Sequence, residues 1–218
     1  MTTDTAVTTG NERSRRTRRA LLDATRAILE ESGFEALTIK AVAERAGVTR
    51  AAVYLHFDSR AHLVNALFDH MAEVAGLADS LAPVWAAPDG ATALEEWARH
   101  LARYHVELLA VDRAVQRVRD SDPDVAAHRA KVAKAKLANC RRLADRLVAE
   151  GRLAAPWTAA TAADMLNALS TSDVVEGLIV DRRWSRRRFA EHLGALLRST
   201  FVAAADRSVG SRAKRPRS

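Results

Sequence analysis

The stretch Thr38–Phe57, TIKAVAERAGVTRAAVYLHF, decides how the rest of the chain is read. Thr38 offers a hydroxyl that can cap a helix N-terminus, taking a backbone N–H that has no partner inside the first turn. Ile39, Val42, Ala43 and Ala46 recur at helical spacing and make one apolar face. Gly47 stands just past the last helical residue, where a left-handed cap favours the residue without Cβ. Val48 fills the inside of the turn, Thr49 caps again, and Ala51, Ala52, Val53 and Leu55 continue a second short helix. Two short helices joined by a Gly-containing turn form a helix-turn-helix, whose second helix enters the DNA major groove.

Capped, Ala-rich helix pairs also occur in many all-helical proteins. What favours DNA is the polar set on the second helix. Thr49, Arg50, Tyr54 and His56 crowd into one short segment, Arg60 follows closely, and Lys40 belongs to the same surface. Arg50, near the start of the helix, suits base edges, with Lys40 and Thr49 as weaker readers. Tyr54, His56 and Arg60 suit phosphate oxygens.

Around this core the matching residues extend from the entry LLDATRAILEESGFEALTI through AVAERAGVTRAAVYLHF to the exit FDSRAHLVNAL. The run from Arg19 to Leu67 resembles the DNA-binding domain of the TetR family of transcriptional regulators. The family has an aromatic after the Gly that follows the first helix, here Phe34. It closes the recognition helix with Tyr, any residue, His or Tyr, then an aromatic, here Tyr54, His56 and Phe57. Where the family usually has Lys this chain has Arg60, which keeps the charge. The resemblance covers about the first third of the chain. It implies an all-α fold of about nine helices: a three-helix DNA-binding domain, then a helical ligand-binding and dimerisation domain. It also implies a homodimer on a palindromic double-stranded DNA operator, usually repressing, and released by a small effector.

The whole chain is compatible with that. Its 218 residues suit one large or two small domains. With only 9 Gly and 5 Pro, helix is favoured throughout. The single Cys140 excludes an intramolecular disulfide and any multi-cysteine zinc site, and suits a reducing cytoplasm. No apolar N-terminal segment marks a signal peptide, and no apolar run of about 18 residues is long enough to span a membrane. The net charge of +7 favours a polyanionic partner. Arg13, Arg15, Arg16, Arg18 and Arg19 sit just ahead of the helix-turn-helix, where a phosphate-tracking arm belongs.

In order along the chain, residues 1–12 are expected to be disordered, 13–59 to form the DNA-binding domain, 60–205 the effector-binding and dimerisation domain, and 206–218 a basic disordered tail. The first helix is expected over 14–32. A helix from Asp58 or Ser59 to about Leu81 is expected to be the only element touching both domains, ending at a loop marked by Pro83, Pro88 and Asp89-Gly90. Helices are then expected over 92–111, 114–119, 124–150, 158–181 and 186–204. The last two carry apolar residues on more than one face, which a second copy of the chain would cover. Leu166, Val180, Phe189, Leu193 and Leu197 are the expected dimer contacts. A lone central helix in a monomeric bundle is the alternative.

No catalytic constellation stands out. His100 and His105 are five apart, off a single helix face, and H-E-x-x-H, G-x-G-x-x-G, G-x-x-x-x-G-K and G-x-S-x-G are all absent. No metal or cofactor is therefore expected, nor an enzyme. Cys140 lies on an apolar seam, which suits a buried inert thiol better than a redox sensor. Trp97, Leu101, Tyr104, Leu137, Cys140, Met165 and Leu169 offer an apolar and aromatic lining for a lipophilic or aromatic effector, with Tyr104, Asn139 or Asn167 as polar anchors. Two rival readings stay open: an all-helical enzyme with an incidental helix-turn-helix-like segment, and a non-specific DNA-coating protein working through its basic tails.

Overall fold

The computed structural model describes residues 4–116 and 123–204. The chain is all-α. Helix α1 spans Asp4–Ser32, α2 Ile39–Ala46, α3 Arg50–Tyr54, α4 Arg60–Val74 and α5 Leu77–Ala86. Helix α6 spans Gly90–Gln116, α7 Pro123–Ala149, α8 Ala159–Leu169 and α9 Ser172–Val175. A π-helical stretch, Glu176–Asp181, leads to α10, Arg186–Phe201. Among the described residues the nearest thing to a sheet is one antiparallel bridge, Leu153 with Val202.

Several boundaries differ from the sequence reading. Helix α1 begins at Asp4, so residues 4–12 are helical rather than disordered. Extending an existing helix is much less costly than nucleating one, and local bonds such as Arg15 Nε to Asn11 Oδ1 at 3.2 Å add to it. The helix expected to run on to Leu81 breaks at Gly76, which adopts φ 65° and starts α5 at a new angle. Pro83 lies inside α5, with Arg103 donating to the Ser80 carbonyl at 3.1 Å. Helix α6 continues past Val111 to Gln116; the rest of the expected 114–119 helix and the 206–218 tail lie outside the described residues. The helix expected over 158–181 stops at Ser170. Its hydroxyl donates to the Leu166 carbonyl at 2.6 Å, its own carbonyl accepts from Lys136 at 3.3 Å, and Thr171 is extended. Side-chain bonds to the backbone here compete with the helical ladder.

Two apolar clusters organise the chain. The first gathers Leu21, Ile28, Phe34, Val42, Val53 and Phe57 with Leu63, Leu67 and Met71 of α4. It also takes Leu108, Val111 and Ala114 from α6. Helix α4 is therefore not alone in joining the halves; α6 enters the first cluster directly. The second cluster centres on Leu94, Trp97 and Leu101 of α6, Cys140, Leu143 and Leu147 of α7, Leu166 of α8, and Phe189, Leu197 and Phe201 of α10. Each such side chain, fully buried, contributes roughly 1.5–3 kcal/mol. Helix α10 lies close along α6: a Cβ added at Gly194 would stand 3.5 Å from the Glu95 Cα.

Candidate nucleic-acid interface

Local chemistry shapes the helix-turn-helix as its sequence requires. The Thr38 hydroxyl accepts from Ala41 N at 3.0 Å and starts α2. Gly47 ends it in the left-handed region at φ 66°, and Val48 N donates back to the Ala43 carbonyl at 3.0 Å. Thr49 caps α3 by accepting from Ala52 N at 3.2 Å. Val53 and Phe57, four apart and both fully buried, fix α3 on the first cluster. Helical bonding runs on past Tyr54, with Phe57 N donating to the Val53 carbonyl at 2.9 Å.

That anchoring turns the opposite face outward. Thr49, Arg50, Ala51, Tyr54 and Leu55 are exposed. Lys40 is exposed on α2, 3.8 Å from Glu44. His56 is half-buried, its ring tilted against Phe57 at 6.3 Å. Arg60 lies at the first turn of α4 with its guanidinium 4.4 Å over the Phe34 ring, a contact that orients the charge. Ser59 caps α4 by accepting from His62 N at 3.1 Å, and the positive end of the helix dipole opens beside α3. The Asp58 carboxyl is held below its ordinary value by a hydrogen bond from His62. The six residues expected at DNA thus sit on α2, on α3 and its flanks, and at the start of α4.

Three features of this face escape a motif reading. Leu55 is 84 % exposed, an apolar side chain presented from the recognition helix; its place halfway between inward Val53 and Phe57 is the signal in the sequence. Arg18 of α1 places its guanidinium 4.6 Å over Phe57, and Arg45 clamps Glu31 with two parallel bonds, one of 2.7 Å. Both contacts are long-range in sequence. The basic run lies on α1, and Arg15, Arg18 and Arg19 edge a surface depression of about 310 Å³ with Leu22, His70 and Val74.

Of the expected effector residues, Trp97, Leu101 and Cys140 are buried in the second cluster, and Tyr104, Leu137 and Leu169 pack at its edges or against the first. Met165 does not join them: it is 41 % exposed, because Ala162, Ala163 and Leu166 occupy the inward face of α8. Most of the expected dimer contacts point inward in the single chain. Leu166, Phe189, Leu193 and Leu197 are buried within one chain, where α8 meets α7 and α10 lies along α6. Val180 alone of that set is substantially exposed; the large apolar side chains facing outward on α8 and α10 are Met165 and Leu196.

The interior between α6, α7 and the α8–α9 break carries polar groups that the apolar pattern conceals. Trp97 Nε1 donates to Ser170 Oγ at 2.9 Å. His100 shares a 2.9 Å hydrogen bond with Ser80 and stacks on Tyr104, ring centres 5.4 Å apart. Burial pulls His100 down to about 3 and His105 down to about 4, so both rings are neutral. Burial pushes the Tyr104 hydroxyl and the Cys140 thiol up to about 12, which keeps the thiol protonated and inert. It also raises Asp112, which accepts from Ser172 at 2.7 Å, and lowers Lys136. Among the described residues no three His, Cys, Asp or Glu groups gather as metal ligands, and no helix is long and apolar enough to cross a membrane.

Comparison with known proteins agrees with this geometry. The family described as bacterial regulatory proteins, tetR family, matches residues 21–67. The HTH-type transcriptional repressor KstR of Mycolicibacterium smegmatis is 46% identical over 55 residues, 25% of this chain and 27% of that protein. KstR of Mycobacterium tuberculosis is 39% identical over 80 residues, 36% of each chain. The chain thus spans about a third of the length of these curated relatives. The likeness of fold extends further. NalD of Pseudomonas aeruginosa, the secondary repressor of the MexAB-OprM multidrug efflux pump, superposes with a TM-score of 0.67 at 22% identity over 90% of this chain and 99% of that one. A transcriptional regulator from Saccharomonospora viridis, in complex with choline, gives 0.68 at 16% identity over 87% of this chain and 100% of its own. Residues 21–67 thus match the DNA-binding segment of the bacterial regulatory proteins of the tetR family, and the remainder of the chain shares the fold of these regulators.

Proposed function

We propose that the protein is a cytoplasmic transcriptional repressor that binds a palindromic operator as a homodimer and is released by a small aromatic or lipophilic effector. The observation that carries this reading is the anchored recognition helix. Val53 and Phe57 hold α3 on the core, while Arg50, Tyr54 and Leu55 face outward beside the capped start of α4. Arg50 is the base reader, best matched to guanine, and Leu55 suits a thymine methyl. Tyr54, His56 and Arg60 hold phosphates, and the α4 N-terminus adds its dipole. Lys40 and Thr49 flank this surface; the Thr49 hydroxyl keeps its hydrogen free to donate while its oxygen caps α3.

The dimer is assigned to the outer faces of α8, the π-helical stretch and α10, where Met165, Val180 and Leu196 stand exposed. A two-fold pair would set its recognition helices about 34–36 Å apart, one turn of duplex. An effector filling the interior between α6, α7 and α8 has two routes to the DNA-binding domain: α4, and the α6 residues Leu108, Val111 and Ala114 in the first cluster. For release, it must bind more tightly to the arrangement of these helices that fits DNA less well.

Quantitative DNA titration tests the reading. Arg50→Ala should cost about 1–3 kcal/mol and relax specificity at one operator position. Arg60→Ala should weaken all sequences alike and reduce the salt slope by about 0.9. Unchanged preference in Arg50→Ala would remove it from the base-reading role.

A further inference from the structure

The polar interior described above has unmet hydrogen-bonding capacity. Among the described residues, the buried His105 Nδ1 and Asn167 Oδ1 have no hydrogen-bond partner. Lys136 carries three N–H donors, and among the described residues its one hydrogen bond, to the Ser170 carbonyl, is long at 3.3 Å. Asp112 already accepts from Ser172 at 2.7 Å. Taking an ammonium out of water is unfavourable unless an anion or several acceptors replace the hydration, and a buried polar atom without a partner costs about 1–3 kcal/mol. A plain core would carry apolar side chains at these positions.

The surroundings narrow what would fit. Along α6 the rings of Trp97, His100, Tyr104 and His105 follow one another, with centres 5.2 to 6.2 Å apart. They offer aromatic faces and edges to a further ring. Arg129 stands with Lys136 on α7, within electrostatic reach of both Lys136 and Asp112, and Asp173 acts on the same two groups with the opposite sign. The facing wall is the α8–α9 break at Ser170 and the π-helical stretch beyond it, an irregularity often found at functional sites.

We infer that the effector is an aromatic acid: its carboxylate pairs with Lys136 and accepts from His105, and a hydroxyl on its ring donates to Asn167 Oδ1. This rests on the effector-released repressor reading and specifies the chemistry of its site. A purely lipophilic molecule would leave Lys136, His105 and Asn167 unsatisfied. A single carboxylate matches one lysine and one neutral imidazole N–H better than a phosphate dianion, which needs more donors.

Calorimetric titration of the full chain with benzoate, 2-hydroxybenzoate and 4-hydroxybenzoate, each beside its neutral benzyl alcohol, tests the inference directly. At least one acid should bind about tenfold or more tighter than its alcohol, the effect of one charged hydrogen-bonded contact. Lys136→Met should remove that difference and leave the alcohol's affinity alone, while Lys136→Arg should retain it and control for folding. The inference is overturned if no acid binds, if the alcohols bind as tightly, or if Lys136→Met keeps the preference. Operator release is read separately. An acid that binds through Lys136 without freeing operator upholds the site chemistry and removes the effector reading. An alcohol that binds as well as its acid and frees operator does the reverse.

Discussion

Acid should destabilise this protein through His100 and His105, and the size of the effect follows from their burial. In the unfolded chain each imidazole titrates near the ordinary 6.5; in the fold burial lowers them to about 3 and about 4. Neighbouring charge works in the same direction, from His105 and Arg103 on His100, and from Lys136 on His105. Between these limits the unfolded state holds more protons than the native one, so stability falls as pH falls. The contribution is intact above the unfolded value and is lost progressively down to the folded one. Lowering the pH from 7 to 5 should remove about 2 kcal/mol for each ring, roughly 4 kcal/mol together. Against a typical total of about 5–15 kcal/mol that is a large fraction. Urea unfolding followed by circular dichroism at both pH values, on the parent and on His105→Phe, measures it. Phenyl keeps the planar shape, takes no proton and removes the unpartnered Nδ1. The buried Asp112 carboxyl, whose raised value acts in the opposite direction, is common to both proteins and largely cancels in the difference. The variant should lose about 2 kcal/mol less than the parent on acidification. Equal losses in the two proteins would refute the argument that His105 is buried uncharged.

Gly47→Ala should cost roughly 1 kcal/mol, because φ 66° suits glycine; a Cβ there meets nothing within 4 Å, so the cost lies in the backbone alone. Thermal unfolding measures the cost, and DNA affinity should fall with it as the turn before α3 shifts. Leu196→Glu should split the proposed dimer, read by sedimentation, while circular dichroism stays that of the parent, since Leu196 is exposed at 48 %. Leu193→Glu, at a buried position, should instead unfold the second cluster by placing an unpaired charge inside it.

The helix-turn-helix was legible in the sequence because its determinants are local. Thr38, Gly47 and Thr49 act within four residues of themselves, and the Val53–Phe57 spacing fixes which face turns outward. For the expected dimer residues the sequence pattern was less informative. Phe189, Leu193 and Leu197 form a sound apolar stripe on α10, but a stripe does not name its partner. Here the partner is the chain's own α6, approached closely at Gly194. Met165 was misplaced by one position on a helix, about 100° of rotation. At the break, the Ser170 hydroxyl turns back to the Leu166 carbonyl and Lys136 reaches the Ser170 carbonyl from another helix, a contact no local pattern announces. Asp112 and Lys136, both half-buried, stand one helical turn from the buried Leu108 and Cys140, a spacing the sequence reading did not use.

The central claim is that two copies of α3 read DNA sequence together. Selection of binding sites from random duplex DNA by the full-length protein tests it most directly. The account predicts recovery of an inverted repeat with half-site centres about 10 base pairs or a multiple apart, and loss of the consensus at one position in each half when Arg50→Ala is used. Recovery of no shared sequence, or of a single unrepeated half-site, would contradict it.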